Sequence, residues 1–162
     1  MSEPAHHNGQ CGCGAARFTV HGHPLLRAFC HCTICQVFNG APYADITLFR
    51  GRDVVLPEQG QVEFSTYRPP PAARRGKCVD CGGPAVELLK LPLAGELVII
   101  PSMNIADNSF VPDPALHIFY HRRVADIDDD LPKYQGYWRS QLAFSRRLLP
   151  ALLYRGSGNR RG

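Results

Sequence analysis

Residues 30–35 read Cys30-His31-Cys32-Thr33-Ile34-Cys35. Two cysteine pairs flank them in the chain, Cys11-Gly12-Cys13-Gly14 before and Cys78-Val79-Asp80-Cys81-Gly82 after. These three motifs hold all seven cysteines of the 162 residues. Seven is odd, so disulfide pairing alone strands one thiol. In a reducing compartment clustered thiols serve metal binding or catalysis instead. Zinc takes tetrahedral thiolate sites, and a Cys pair in one tight turn supplies two ligands. The two pairs together make a closed set, Cys11, Cys13, Cys78 and Cys81. The middle motif leaves three, Cys30, Cys32 and Cys35, and a site with three protein ligands keeps its fourth position for water or substrate. Two zinc ions per chain then use every thiol.

The closed set is expected to be structural. It clamps the start of the chain to a segment far along it, so metal-binding free energy becomes folding free energy. The trio is the chemically active candidate. Three thiolates around a divalent zinc leave a net charge of −1. Such a centre is better suited to holding an incoming soft thiolate than to generating a strong hydroxide. Two other readings stand beside this one, a structural zinc with a further ligand and a redox pair of Cys32 and Cys35. His31 lies between two ligands, so its ring is expected to project away from the metal, as support for the ligands or toward solvent.

Outward from the cysteines, short segments with apolar alternation read as strands at 15–21, 25–30, 42–49, 62–67, 85–91, 96–100 and 117–120. Gly and Pro punctuate them. Many short strands without alternating helices indicate a mainly β sheet or sandwich. Residues 1–9 read as a flexible lead-in. The stretch 67–76, with Pro69, Pro70 and Pro71, reads as a loop, because three consecutive prolines lack ladder donors. The segment 137–154 is the one helix with convincing periodicity, with Trp138, Leu142, Leu149 and Leu153 at helical spacing. Its Trp138 and Leu142 face is expected to pack on the sheet, and Pro150 to kink or end it early. The tail, 155–162, reads as disordered.

Composition bounds the function. Hydrophobic residues are 44% and charged residues 20%, the balance of a globular domain rather than a disordered chain. No apolar run approaches the ~18 residues of a membrane span, and the polar start lacks a signal-peptide pattern. A soluble, cytoplasmic protein is expected. Residues 1–130 carry a net charge of −3, while 131–162 carry Lys133 and six arginines without an acid. Basic charge confined to one end does not describe a dedicated nucleic-acid-binding domain. The basic helix suits a lid, a homo-oligomer contact or an anionic surface.

The order Cys-x-Cys-Gly, Cys-His-Cys-x-x-Cys, Cys-x-x-Cys-Gly resembles the glutathione-dependent formaldehyde-activating enzyme family, also called S-(hydroxymethyl)glutathione synthase or the centromere protein V/GFA domain. Gly40-Ala41-Pro42, Tyr67 with Arg74-Arg75-Gly76, and Asp129-Asp130-Leu131-Pro132-Lys133-Tyr134 share in the resemblance, which covers about 8–136. It implies a GFA-type zinc-binding β domain over 10–136 with an Mss4-like fold around the four-cysteine zinc. It also implies a catalytic zinc on Cys30, Cys32 and Cys35, and a carbon–sulfur lyase joining glutathione to formaldehyde. A non-catalytic glutathione carrier and a zinc-fold protein-interaction module are the alternatives. Gln36 stands where many relatives place a basic residue, and Lys77 where they often place an aromatic one. Glutathione carries two carboxylates, which call for cationic partners. The candidates are Arg68, Arg74 and Arg75, with Asn104 as a polar orienting group.

Overall fold

A computed structural model describes residues 5–68 and 73–154. Among these residues ten strands form two sheets. The small sheet, in the order β1-β2-β5, is built from β1 (His7–Gln10), β2 (Arg17–Val20) and β5 (Val54–Val55). The large sheet comprises β3 (Leu26–Cys30), β4 (Ala44–Arg50), β6 (Val62–Ser65), β7 (Ala73–Cys78), β8 (Pro84–Leu91), β9 (Gly95–Pro101) and β10 (His117–Ile118), in the order β10-β3-β4-β9-β8-β7-β6. The β3–β10 pairing is parallel and the other pairings are antiparallel.

Side chains alternate between the faces of a strand, and that alternation divides the core in two. Val98 and Ile100 of β9, Phe49 of β4 and Val86 of β8 meet Phe18 and Val20 of the small sheet. Leu97 and Ile99, Ala44, Ile46 and Leu48, with Leu26, Ala28 and Cys30, face the other way. Each fully buried Leu, Ile or Phe contributes about 1.5–3 kcal/mol. Gly76 serves close strand packing, because a Cβ there would lie 2.5 Å from Val62 Cγ1 and 2.9 Å from the Val86 carbonyl oxygen.

The mainly β architecture with a C-terminal helix agrees with the sequence reading, and several details differ. Residues 7–10 are not a loose lead-in but a strand paired with β2. The expected loop 67–76 turns into β7 at Ala73, so Arg74 and Arg75 are ladder residues. Pro69, Pro70 and Pro71 fall outside the described residues, as does the stretch 155–162. The middle cysteine motif opens a second helix, α1 (Thr33–Asn39), in which Cys32 is the N-cap and Gly40 closes the end in the left-handed conformation. Its β-branched residues are weak helix formers, so packing and caps carry it.

The C-terminal helix, α2 (Tyr137–Leu153), runs through Pro150. The missing proline donor falls in the last turn. There Arg50 Nη2 donates to the carbonyls of Ala151, at 2.9 Å, and Leu152, at 3.0 Å, satisfying orphan acceptors of the helix end. Its packing face is not the expected one. Ser140, Ala143 and Leu148 are buried against β3 and β10, whereas Trp138 is 82% exposed and Leu142, Leu149 and Leu153 also face outward. Small residues at the contact let the helix approach closely. Ser140 Oγ accepts the Phe119 N–H at 2.8 Å and donates to the Tyr134 carbonyl.

This assignment of faces separates two substitutions. Leu148→Ala should cost about 2–4 kcal/mol of unfolding free energy. Trp138→Ala should stay within about 0.5 kcal/mol. Urea unfolding of both variants measures the difference, and a reversed order would place the wrong face on the sheet.

Candidate metal centres

The four cysteines of the outer pairs converge where the two sheets meet. Cys11 follows β1, Cys78 ends β7, and both are buried with Ala16 and Ala85. Cys13 and Cys81 face outward. The four Sγ atoms lie within 4.8 Å of one another, with Cys11–Cys13 at 3.6 Å and Cys13–Cys78 at 3.7 Å. A tetrahedron of Zn–S bonds has an edge of about 3.8 Å, whereas a disulfide needs about 2.05 Å. The spacing fits a metal and excludes a bridge. Backbone N–H groups already point at sulfur, from Ala16 to Cys11 and from Gly83 to Cys81, each at 3.4 Å. The left-handed Gly82 permits the turn that brings Cys81 round to Cys78.

The trio is built on one β-to-α junction. Cys30 ends β3, Cys32 caps α1, and Cys35 lies in its first turn. Their Sγ atoms also lie within 4.8 Å of one another, and among the described residues no further His, Cys, Asp or Glu joins them. His31 lies outside this cluster, between Cys30 and Cys32 in the chain. Hydrogen bonds from Cys30 and Cys35 hold the Cys32 thiol low, at about 3. The hydrogen bond to Cys32 pushes Cys30 well up. The three sulfurs are thus close enough to share protons, a soft and compact donor set of the kind that suits zinc. Both sets of cysteines can hold a metal ion.

Charge around the trio comes from β7 and β8. Arg75 and Glu87 stand opposite each other in the ladder. Arg75 Nε lies 3.1 Å from Glu87 Oε2, and Arg75 Nη2 lies 3.9 Å from Cys35 Sγ. Glu87 is 1% exposed, and its Oε1 has no partner among the described residues. Burial pushes the Glu87 carboxyl up to about 7 against the pull of Arg75. Lys77 Nζ sits 6.0 Å over the Phe38 ring, the Arg75 guanidinium 5.8 Å over Tyr67, and the two rings are 5.9 Å apart. An aromatic wall with two cations thus adjoins the trio.

The other expected contacts lie elsewhere. Arg74 is the neighbour of Arg75 on a strand and faces the opposite side, stacked 5.2 Å over Phe64. Arg68 is exposed. Asn104 is buried, and its Nδ2 donates to the carbonyls of Pro84 at 2.9 Å and Ala85 at 3.2 Å. Its amide therefore ties backbone near the quartet. Sequence reasoning overlooked Glu87, and it met Lys77 only as a replacement for an aromatic residue. The available signal for Glu87 was a lone acid inside the apolar run 85–89.

The fold is a mainly β domain with two cysteine clusters, each able to hold a metal ion. The family described as glutathione-dependent formaldehyde-activating enzyme (GFA) matches residues 6–122, and the chain belongs to it. Among solved structures, a crystal structure of a Rhodobacter sphaeroides protein is similar at 17% identity. It covers 66% of this chain and 96% of that chain, with a TM-score of 0.50, a likeness of fold alone. No curated protein matches the chain. No helix among the described residues is long and apolar enough to cross a membrane.

The Glu87 environment predicts a pH dependence. Its carboxyl is raised from 4.5 to about 7 in the folded chain, so the folded state holds the proton more tightly. That contribution is fully present below about pH 4.5 and lost as pH rises through about 7, a fall on the order of 3 kcal/mol. Glu87→Gln should flatten the decline in unfolding free energy between about pH 5 and pH 8. An unchanged decline would place its origin in another group.

Proposed function

We propose that the chain joins glutathione, or a similar small thiol, to formaldehyde or another aldehyde, forming and breaking a carbon–sulfur bond at Cys30, Cys32 and Cys35. The observation that carries this reading is the unequal division of sulfur. The quartet is complete, while the trio lacks a fourth protein donor among the described residues. A zinc ion held by the three thiolates would leave one position, which an exogenous thiol could fill as its thiolate, ready to attack an aldehyde carbon held beside it.

The chain's own residues do the rest. Arg75, beside Cys35, offsets the negative charge that accumulates when thiolates gather. Glu87 fixes the Arg75 guanidinium, which is therefore not free to take a substrate carboxylate. Lys77 and the exposed Arg68 are the cations left for that task. Phe38 and Tyr67 shield one side from water. Holding sulfur and carbonyl carbon together supplies several kcal/mol of barrier reduction through lost translational entropy alone.

Calorimetric titration with glutathione, paired with detection of S-hydroxymethylglutathione, tests the reading on three chains. The unsubstituted protein should carry two zinc ions, bind glutathione and accelerate product formation. Cys32→Ser should keep its fold and one zinc and lose glutathione binding. Cys78→Ser should lose cooperative unfolding. If Cys32→Ser unfolds as badly as Cys78→Ser, the trio is architectural. Binding without acceleration would select the carrier reading.

A further inference from the structure

Two imidazoles connect the trio to the far side of the sheet. His31 sits between Cys30 and Cys32, and His117 lies beside it across the parallel β3–β10 pairing. Both are buried, at 1% and 0% exposure. His31 Nε2 is 2.8 Å from His117 Nδ1, and His117 Nε2 is 2.8 Å from Asp129 Oδ2. The other carboxylate oxygen, Asp129 Oδ1, accepts from Lys133 Nζ at 2.5 Å and from the Leu131 N–H at 3.2 Å. One unbroken chain of hydrogen bonds thus runs from a partly exposed acid to the turn that carries two of the three thiols.

With both rings neutral, the direction of every bond follows from the acid. The Lys133 ammonium holds the Asp129 carboxyl down, at about 2, so it is ionised, and an ionised carboxylate only accepts. His117 Nε2 must therefore donate to it. A neutral imidazole has a single N–H, so His117 Nδ1 accepts and His31 Nε2 donates. His31 Nδ1 is left as a bare lone pair, and it is buried without a partner among the described residues. The backbone of His31 is held as firmly. Its N–H donates to the Ile118 carbonyl at 3.0 Å, and its carbonyl accepts from Gln36 Nε2 at 2.7 Å.

We propose that Asp129 is a positioning residue for the three-cysteine centre: acting through His117 and His31, it locks both rings as the Nε2–H tautomer and pins the Cys30–Cys32 turn against β10. A ring bonded in one direction cannot flip, and the residue that carries it sets the separation of the two thiols on either side. Partners of this kind are worth about 10–100-fold in metal affinity. The claim about metal affinity rests on the trio being a metal centre, and the claim about tautomers does not.

Asp129→Asn inverts the chain of bonds. Two donors face Oδ1, so the amide oxygen stays there and the amide N–H group turns toward His117. His117 Nε2 must then accept, its proton moves to Nδ1, and His31 follows. The measurement is a correlation spectrum of ring nitrogens and protons in the full zinc-loaded chain labelled with 15N-histidine, with stepwise removal of zinc by a chelator. The unsubstituted chain should show Nε2–H at both rings, and Asp129→Asn should show Nδ1–H at both. In that variant the more labile zinc should leave at about 10–100-fold lower chelator concentration, with the tighter zinc unchanged. Lys133→Met retains the carboxylate and should keep both Nε2–H tautomers, which separates the acid's role from local loosening. A His117 protonated at Nδ1 in the unsubstituted chain overturns the proposal. So does an Asp129→Asn chain that keeps its tautomers or loosens both zincs alike. If the unsubstituted trio retains no zinc, the metal reading fails, while the tautomers still decide the lock.

Discussion

The convergence of four thiols at the seam between two sheets is the constraint on which the other features depend. Cys11 leaves the last residue of β1 in the small sheet, and Cys78 closes β7 in the large one. Their neighbours Ala16 and Ala85 are small, so the apolar cluster at this seam adds little to the larger core in which Phe18 and Val20 meet Val98 and Ile100. Sulfurs spaced at the edge length of a metal tetrahedron let that seam take a cross-link whose strength would come with the metal. Pairing of β6, β7 and β8, with a register shift between Gly76 and Lys77, brings Arg75 and Glu87 to the side of the sheet where the trio lies.

The period of two along a strand then decides which charges lie beside the trio. Arg74 and Arg75 are adjacent in the chain and face opposite ways, one over Phe64 and one toward Cys35. Val86 faces the small sheet while Glu87, one residue on, reaches Arg75. A buried ion pair of this type is costly to desolvate. Its place beside a group of thiols gives the guanidinium a second negative neighbour and the carboxylate a fixed orientation. The surroundings of the trio thus come from two directions, Arg75 and Glu87 on one side and the hydrogen-bonded His31, His117 and Asp129 on the other.

Much of this was legible in the sequence because cysteine motifs and strand alternation are local signals. The grouping of seven thiols into four and three, the mainly β architecture and the C-terminal helix follow from spacing alone. What escaped is what depends on tertiary neighbours. The helix α1 has β-branched residues and only about two turns, and only Cys32 and Gly40 as caps announce it. β7 was hidden by three prolines just before it. The outward Trp138 and Leu142 show that an apolar stripe fixes a helix period but not which side meets the sheet. That choice belongs to the small residues Ser140 and Ala143. Asn104 looked like a free polar group in a loop, and its amide is consumed by the Pro84 and Ala85 carbonyls. The His31–His117–Asp129 chain spans three separate segments, so no local pattern could join it.

Zinc-edge X-ray absorption on the full chain, with and without glutathione, tests the division of sulfur most directly. A closed set of four and an open set of three predict an average near ~3.5 sulfurs per zinc with a light atom completing the shell, rising to about 4 when glutathione is added. An average of four sulfurs that glutathione does not change, or a single zinc per chain, would contradict the account.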